Sequence, residues 1–593
     1  MMSLKEFKDK ADKVFKKIKE SIVLFFSDRE NVKAVLFTLL YAAVTFVLLS
    51  RHEIWADEAH VWMQIKYKTL ADLFRYSMGE GHPFLFYALM FPFVKAGFSM
   101  EFLRVFCWLS VSAGIFFFLR YAPFCGILKT AVLLSAPFIY FFPVHARNYS
   151  LIPLFMFSAG ALYGSRHKYP LLYLLLILCL ASSHFLATVP ALYLAGCFFY
   201  EMHGSVPVKF FKRLFLPALA VFLFLYIQAD SAFGGNTFYK IGLKGNFEIV
   251  VIFLQSFFSC FTEYFVSEPY LIPESFSVYA ACVFTSLLIA ALFFSLFYRS
   301  VRYFAGAAAA LCSQFIIYFF IYPLVYPPRV YCFSVFLLFF FWLAFADEKN
   351  AAVNCSGNYK NIPAQYGSFP AGNGLQSLRN MLCGKGRKIS EMLLFVLFAM
   401  AVPTGVHMAA KDFNGPFSSA PEMAAFIRSH ISPNDIVLSS TDFIEGLLYH
   451  IQDRNIGYKS IKSLHFAINS GDHDYEEADI MPYVKAGHRV YLVFNWNADF
   501  DEKLYPVFHT HEAIKNRESF TLVQLLSDMD FAGPLPAAVM QGKDRKKDSV
   551  DTETGMFDGF SDGLERAYSM EKTVAGKEPF FHHPPYFYPE FYQ

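Results

Sequence analysis

The chain has 593 residues, of which 55% are hydrophobic, 19% aromatic and only 17% charged, with a formal net charge of +2. A soluble chain of this length would need several domains with charged surfaces, which this composition does not supply, and no segment carries a nucleic-acid signature. The ten cysteines fall mostly within apolar runs, where a thiol behaves as a small hydrophobe, and no pair has zinc-site spacing.

In chain order, residues 1–30 are expected to form a basic amphipathic helix rather than a cleavable signal. Leu4, Phe7, Ala11, Val14, Phe15, Ile18 and Ile22 recur at helical spacing, while Lys5, Lys10, Lys13, Lys16, Lys17 and Lys19 fill the other face. That pattern suits a helix lying on the cytoplasmic membrane surface. Long apolar runs follow, among them 32–50, 102–119, 210–228, 276–298 and 329–346. Each approaches the ~20 residues a helix needs to cross a ~30 Å hydrocarbon core. Backbone polar groups cannot stay unpaired in lipid, so the runs are expected to be helices.

Positive charge ahead of the first run places the N-terminus in the cytoplasm and residues 51–81 outside. The stretch 83–98 is short and interrupted by Pro92. Laying it in the outer interface brings Arg120, Lys129, Arg166, Lys168, Arg299 and Arg302 to the cytoplasmic side together. Residues 247–265 read as an outer juxtamembrane helix by the same logic. The fold class expected is a mainly α polytopic membrane protein with about eleven transmembrane helices by the ~20-residue rule. Besides the five runs above, these lie at 126–142, 148–164, 170–184, 186–202, 303–321 and 389–409.

The domain plan is therefore a transmembrane catalytic unit over 31–346, a cytoplasmic linker over 347–388 rich in Asn, Gly and Ser, and a last span over 389–411. Strand-like runs at 436–440, 456–458, 490–494 and 520–526, with helical stretches at 421–430 and 443–450, predict a small extracytoplasmic α/β domain over 412–530. Residues 531–593 are charged and then rich in Pro and aromatics, and little fixed structure is expected there.

The most informative segment reads Arg51-His52-Glu53-Ile54-Trp55-Ala56-Asp57-Glu58-Ala59-His60-Val61-Trp62, with Gly81-His82-Pro83 further on. Carboxylates and imidazoles at a membrane boundary cost desolvation energy and usually serve a site. Asp57 is the first candidate for a general base, with Glu58 assisting it or binding a divalent cation. On a continuous helix neighbouring side chains point ~100° apart, so the two acids converge only if the segment is a loop. The bland alternative is that both merely cap a helix starting near Ala59. Cations gather on the same expected face: Arg104, Arg147 in His145-Ala146-Arg147-Asn148-Tyr149, His184 after Ser182-Ser183, Lys240, Lys244, and Arg329 after Tyr326-Pro327-Pro328. Guanidinium forks suit phosphate oxygens, whereas Lys240 and Lys244 suit snorkelling at the interface.

Trp55-Ala56-Asp57-Glu58-Ala59-His60-Val61-Trp62 followed by Gly81-His82-Pro83 resembles bacterial membrane glycosyltransferases of the GT-C superfamily, relatives of protein O-mannosyltransferases and aminoarabinose transferases. Ala146-Arg147-Asn148-Tyr149-Ser150-Leu151 and Tyr326-Pro327-Pro328-Arg329 are similar to that group's outer-loop motifs, and the resemblance covers residues 30–350. It implies a cell-envelope enzyme of the bacterial plasma membrane, catalysing inverting transfer from a polyprenyl-phosphate-linked sugar to an extracytoplasmic acceptor, whether glycolipid, polysaccharide or protein. It further implies two membrane-parallel helices in the first outer loop, Asp57 as base or metal ligand, and a donor site drawn from His60, His82, Arg104, Arg147, Tyr149, His184, Tyr326 and Arg329. The sequence departs from the pattern in lacking a separated Asp-x-Asp, so a divalent cation is not required by it, and in having Phe84 where a second proline is common. The alternative is a transporter or lipid flippase, which predicts mid-membrane charges and repeated halves; neither is evident. A non-catalytic scaffold would leave the clustering of acids and arginines unexplained.

Overall fold

The computed structural model describes residues 20, 23–79, 82–234, 261, 276–317, 327–356, 373–432, 435–439, 445–451, 489–494, 507–511 and 519–525. Most of the expected N-terminal amphipathic helix, the juxtamembrane segment 247–265 apart from Phe261, the strand at 456–458 and the tail lie outside these residues.

The first long helix, α1 (Arg29–Arg51), starts on Asp28, whose carboxylate accepts the Glu30 amide at 2.9 Å. Three short helices follow: α2 (Ala56–Tyr67), α3 (Leu70–Gly79) and α4 (Leu85–Lys95). With 12, 10 and 11 residues they are too short to cross a bilayer at ~1.5 Å per residue. The second long helix, α5 (Met100–Tyr121), packs back on α1, and Arg120 near its end pairs with Asp28 at 2.7 Å. Next comes α6 (Gly126–Leu134), which continues as Pro137–Val144 after a 59° bend. The bend follows from Ser135 and Pro137, because a proline cannot donate to the preceding turn.

A short 3-10 turn at Asn148–Ser150 leads into α7 (Leu151–Leu162), which packs against α5. Their approach is close because Gly114 of α5 has no side chain: a Cβ there would lie 2.8 Å from the Pro153 carbonyl carbon. The bundle continues through α8 (Pro170–Ala181), α9 (Phe185–Met202), α10 (Val208–Gly234), α11 (Phe276–Arg299), α12 (Val301–Ile316), α13 (Pro327–Ser356) and α14 (Asn373–Asn414). The centre is α13: Val330 through Phe345 are at most 2% exposed, as expected for a helix that is apolar all round. At the rim Leu36, Phe37, Leu39 and Leu40 of α1, and Phe284, Leu287 and Phe294 of α11, are exposed. These are surfaces for lipid.

Seven of these helices are long and apolar enough to cross a membrane, or eight if the bent α6 pair is one span, so the chain is an integral, multi-pass membrane protein. The expected count of about eleven full-length helices is not reached among the described residues. Over 148–164 and 170–184 the helices have 12 residues each, and α12 has 16, with 318–326 outside the described residues. The shortening has a physical cause. The polar turns Arg147–Ser150 and Ser183–His184 are folded into the protein interior, so their helices begin and end there. Irregular backbone at this depth is tolerated where protein covers it. Helices α13 and α14 extend into the 347–388 stretch, as far as Ser356 and from Asn373, and 357–372 lie outside the described residues.

After α14 come α15 (Ala420–His430), β1 (Ile436–Ser439), α16 (Glu445–Ile451), β2 (Val490–Phe494), β3 (Val507–His509) and β4 (Thr521–Leu525). The sheet order is β1-β2-β4-β3, with β1 and β2 parallel and the other pairs antiparallel. Val437 faces Tyr491 across the parallel pair. One apolar core joins this unit to the short helices after α1: Ile54, Trp62 and Ile65 lie in the same buried cluster as Met423, Ile427, Leu447, Leu448, Tyr491 and Leu522.

At the far end of the bundle, Glu201 of α9 accepts from Arg166 at 2.8 Å and from Arg302 of α12 at 2.5 Å. Tyr163 and Tyr303 share a 2.6 Å bond beside them. The space among these side chains has no room for a water molecule, which marks it as a staple between helices rather than a site.

Candidate functional site

The site is built where α1 ends. His52 caps α1 in extended conformation, Trp55 precedes α2 in the same conformation, and no side chain caps α2. The helix begins at Ala56, so Asp57 and Glu58 both lie in its first turn, where carboxylates complement the N-terminal dipole. Being on a helix, they diverge. Glu58 is fully buried, whereas the Asp57 side chain is 35% exposed.

Asp57 faces a chain of contacts that runs to Arg329. Arg147 lies 3.9 Å from its carboxylate and donates to its backbone carbonyl at 2.5 Å. Nη2 of Arg147, the nitrogen nearest the Asp57 carboxylate, also meets His82 Nε2 at 2.9 Å. The His82 ring lies 5.3 Å from that of His184, which stacks at 4.8 Å on Tyr149, whose hydroxyl accepts from Arg329 at 3.3 Å. Gln228 of α10 fixes this corner by donating to the backbone carbonyls of Ser77 at 2.8 Å and His82 at 3.1 Å.

The hydrogen bonds assign both tautomers. An arginine only donates, so His82 Nε2 accepts and its proton sits on Nδ1. His184 Nδ1 accepts the Leu186 amide at 3.1 Å, so its proton sits on Nε2. Those two protonated atoms, His82 Nδ1 and His184 Nε2, are buried with no partner among the described residues. Burial first, then Arg147, His184, Arg329 and His60, holds His82 well below the ordinary imidazole range. Burial, Arg329 and Arg147 do the same to His184. The result is two neutral imidazoles offering N–H groups beside two guanidiniums and a phenol, which is a donor set for an anion.

Behind Asp57 sits a second layer. Glu58 Oε1 accepts the Ala146 amide at 2.5 Å, and Oε2 lies 3.5 Å from His52 Nε2. His52 Nδ1 pairs at 2.8 Å with Asp412 near the end of α14, and Tyr140 donates to the same Asp412 oxygen at 2.9 Å. Burial opposes charge on His52, but Asp412 and then Glu58 outweigh it and raise it to about 10. For Glu58 burial is likewise opposed by the His52 charge, its hydrogen bond and Arg104, with a net lowering.

Several expected residues stand elsewhere. Arg104 is not gathered with Arg147 and Arg329. It donates to the carbonyls of Leu49 and, at 2.7 Å, His52, closing orphan acceptors at the end of α1, and pairs with Glu101 at 2.9 Å. His60 meets the Tyr76 hydroxyl at 2.6 Å on the α3 side of α2. Tyr326, Glu80, Gly81, Lys240 and Lys244 lie outside the described residues. Among the described residues no group of three or more His, Cys, Asp or Glu is placed to hold a metal ion. Glu58 faces the Ala146 amide and His52, away from Asp57, and does not fit a cation shared with it. His52, Asp412, Tyr140 and Gln228 were not singled out from the sequence. One signal was available for two of them: His52 ends the first apolar run and Asp412 ends the last, as complementary charges at one boundary.

No family model matches the chain, and no curated protein matches it by sequence. Among solved structures it is similar to ArnT from Cupriavidus metallidurans bound to undecaprenyl phosphate, at 12% identity and a TM-score of 0.39, over 84% of this chain and 99% of that one. The same protein in the apo state gives 11% identity and a TM-score of 0.43, with the same coverage of both chains. Both likenesses are distant.

Proposed function

We propose that this chain is a membrane glycosyltransferase of the GT-C type, transferring a sugar from a polyprenyl-phosphate donor to an extracytoplasmic acceptor in a bacterial plasma membrane. The observation that carries the reading is the junction at Arg147, which touches both the part-exposed Asp57 and a buried anion pocket with two open imidazole N–H groups. An acid next to a phosphate receptor is what glycosyl transfer from a lipid phosphate needs.

The donor is a phosphodiester with one negative charge. Arg147, Arg329, His82, His184 and Tyr149 hold its phosphate, with the lipid tail between helices. As an acceptor hydroxyl attacks the anomeric carbon, Asp57 takes its proton. The bond from that carbon to the phosphate oxygen breaks, and the electron pair stays with the oxygen. The departing polyprenyl phosphate gains a second negative charge, which the fixed donors stabilise as it forms. Attack opposite the leaving group inverts the configuration. Glu58 has no part in the proton transfer; it anchors the backbone ahead of Arg147.

Purified protein in nanodiscs, given labelled polyprenyl-phosphate sugars and a mixed acceptor extract, is expected to release polyprenyl phosphate. Asp57→Asn should cut that release by about 10²-fold or more while the protein still inserts and unfolds cooperatively. Retained turnover in Asp57→Asn removes Asp57 from its role.

A further inference from the structure

The buried ion network behind Asp57 is unused by the proton and group transfers just described, yet it joins four elements. His52 ends α1, Glu58 lies in the first turn of α2, Tyr140 lies in the bent continuation of α6, and Asp412 lies near the end of α14. The side chains of His52 and Glu58 are fully buried, and that of Asp412 is 3% exposed. Two further contacts close the same joint. Glu53 accepts the Phe417 amide at 2.7 Å, and the Phe417 ring lies 4.4 Å from that of His52. The joint between the last span and the α/β unit is thus clamped onto the segment that carries Asp57.

We infer that His52 and Asp412 are positioning residues for the proposed transfer, with the His52 imidazolium holding the Glu58 carboxylate on the Ala146 amide so that Arg147 is seated against Asp57. The geometry supplies each link. Asp412 fixes the ring through Nδ1, which turns Nε2 toward Glu58. The other Glu58 oxygen holds Ala146, the residue before Arg147. The 3.5 Å contact is an ion pair and not a hydrogen bond, so once the ring loses its charge the attraction is gone, an imidazole lone pair faces the carboxylate, and Glu58 is released from its seat. The charged and titratable groups facing His52 are Asp412 from α14, Glu58 from α2, Glu53 beside it, Tyr140 and His145 from the turn after α6, and Arg104 from α5 on its backbone carbonyl. Two carboxylates across the ring hold its proton into the alkaline range, so the seat is stable at neutral pH.

The role rests on the proposed transfer, but the seat itself can be tested without a substrate. Asp412→Asn keeps an acceptor for His52 and Tyr140 and removes one charge. Turnover is measured from pH 6.5 to 10, and hydrogen exchange is followed in peptides containing the Ala146 amide. At pH 6.5 the variant is expected within about threefold of the wild type in both. By pH 9 its turnover should have fallen at least tenfold, with exchange at Ala146 faster than wild type by a similar factor. If Asp412→Asn fails to insert, Glu58→Gln is the second variant: with its oxygen on the Ala146 amide its NH2 faces His52 Nε2, which can accept it only as the neutral ring, so turnover is expected to be low at pH 6.5 and to recover as pH rises. A loss of equal size at every pH assigns the network a purely structural role and overturns the inference, as does an unmoved alkaline limb. Absence of any transfer by the wild type defeats the proposed function alone, and the ratio of exchange rates at the two pH values then decides the positioning role.

Discussion

At the scale of single residues, the histidines divide by the sign of their shifts. His82 and His184 are neutral in the fold and free to protonate on unfolding. Their contribution is complete above their ordinary value of 6.5 and is lost as pH falls below it. His52 has the opposite sign: its contribution is complete below 6.5 and is lost as pH rises toward about 10. Thermal unfolding of the purified protein should therefore show greatest stability near pH 6.5, with Asp412→Asn lowering that maximum and ending the alkaline decline at a lower pH, because the His52 value falls back toward 6.5. The neutral tautomers make a second prediction. His184→Gln can accept the Leu186 amide and still donate, so affinity for a short-chain isoprenyl phosphate should stay within about threefold of wild type. His184→Leu removes the donor and should cost about tenfold, the usual size for one hydrogen bond to a charged group. Calorimetric titration separates the two. Asp57, Arg147, His82, His184 and Arg329 stand in motifs that the sequence singles out, and the structure brings these five side chains together. The parting of Asp57 from Glu58 was not legible there, because it depends on the helix starting at Ala56. Nor was the capture of Arg104, whose partners are backbone carbonyls, nor the pairing of His52 with Asp412 across most of the chain.

At the scale of elements, hydropathy located the helices but not their lengths. A run of apolar residues is the same whether its helix ends in an interface or at a polar turn inside the protein, and the turns at Arg147–Ser150 and Ser183–His184 are of the second kind. Those turns carry Arg147, Tyr149 and His184, so two of the runs that fell short of the ~20-residue expectation are ones that bring candidate site residues into the protein interior. Strands β1, β2 and β4 fall on the strand-like apolar runs at 436–440, 490–494 and 520–526, while β3, at three residues, is too short to stand out as a run. Packing between α5 and α7 makes a test at this scale. Gly114 lets the two backbones meet, and α7 begins at Leu151, one residue beyond the Arg147–Ser150 turn that carries Arg147 and Tyr149, with Ser150 as the join. Gly114→Val forces the helices apart and should destabilise the fold by about 1–3 kcal/mol, the range for overpacking a filled interface. The check is a lower unfolding temperature together with a higher KM for the donor; an unchanged KM would separate helix packing from the placement of the pocket.

For the whole molecule, the decisive feature is the core shared by the α/β unit and the short helices after α1. An appended domain on a tether would bury its own apolar residues separately. Here Trp62 packs edge-on against Tyr449 at 5.4 Å, and α16 lies along α2. The first turn of α2 holds Asp57, so the C-terminal unit forms part of the wall that positions it. Placing a charge in that wall tests the coupling far from any substrate contact. Leu448 is 3% exposed, and Leu448→Asp would bury a carboxylate without a partner, a change that costs several kcal/mol. The expected result is selective: proteolysis opens residues 56–79 and turnover falls at least tenfold, while the bundle centred on α13 keeps its helical content. Ala425→Ser, at an exposed position of the neighbouring α15, should leave both readouts unchanged. If Leu448→Asp leaves 56–79 protected and turnover intact, the α/β unit is a passenger and the loop helices hold Asp57 by themselves.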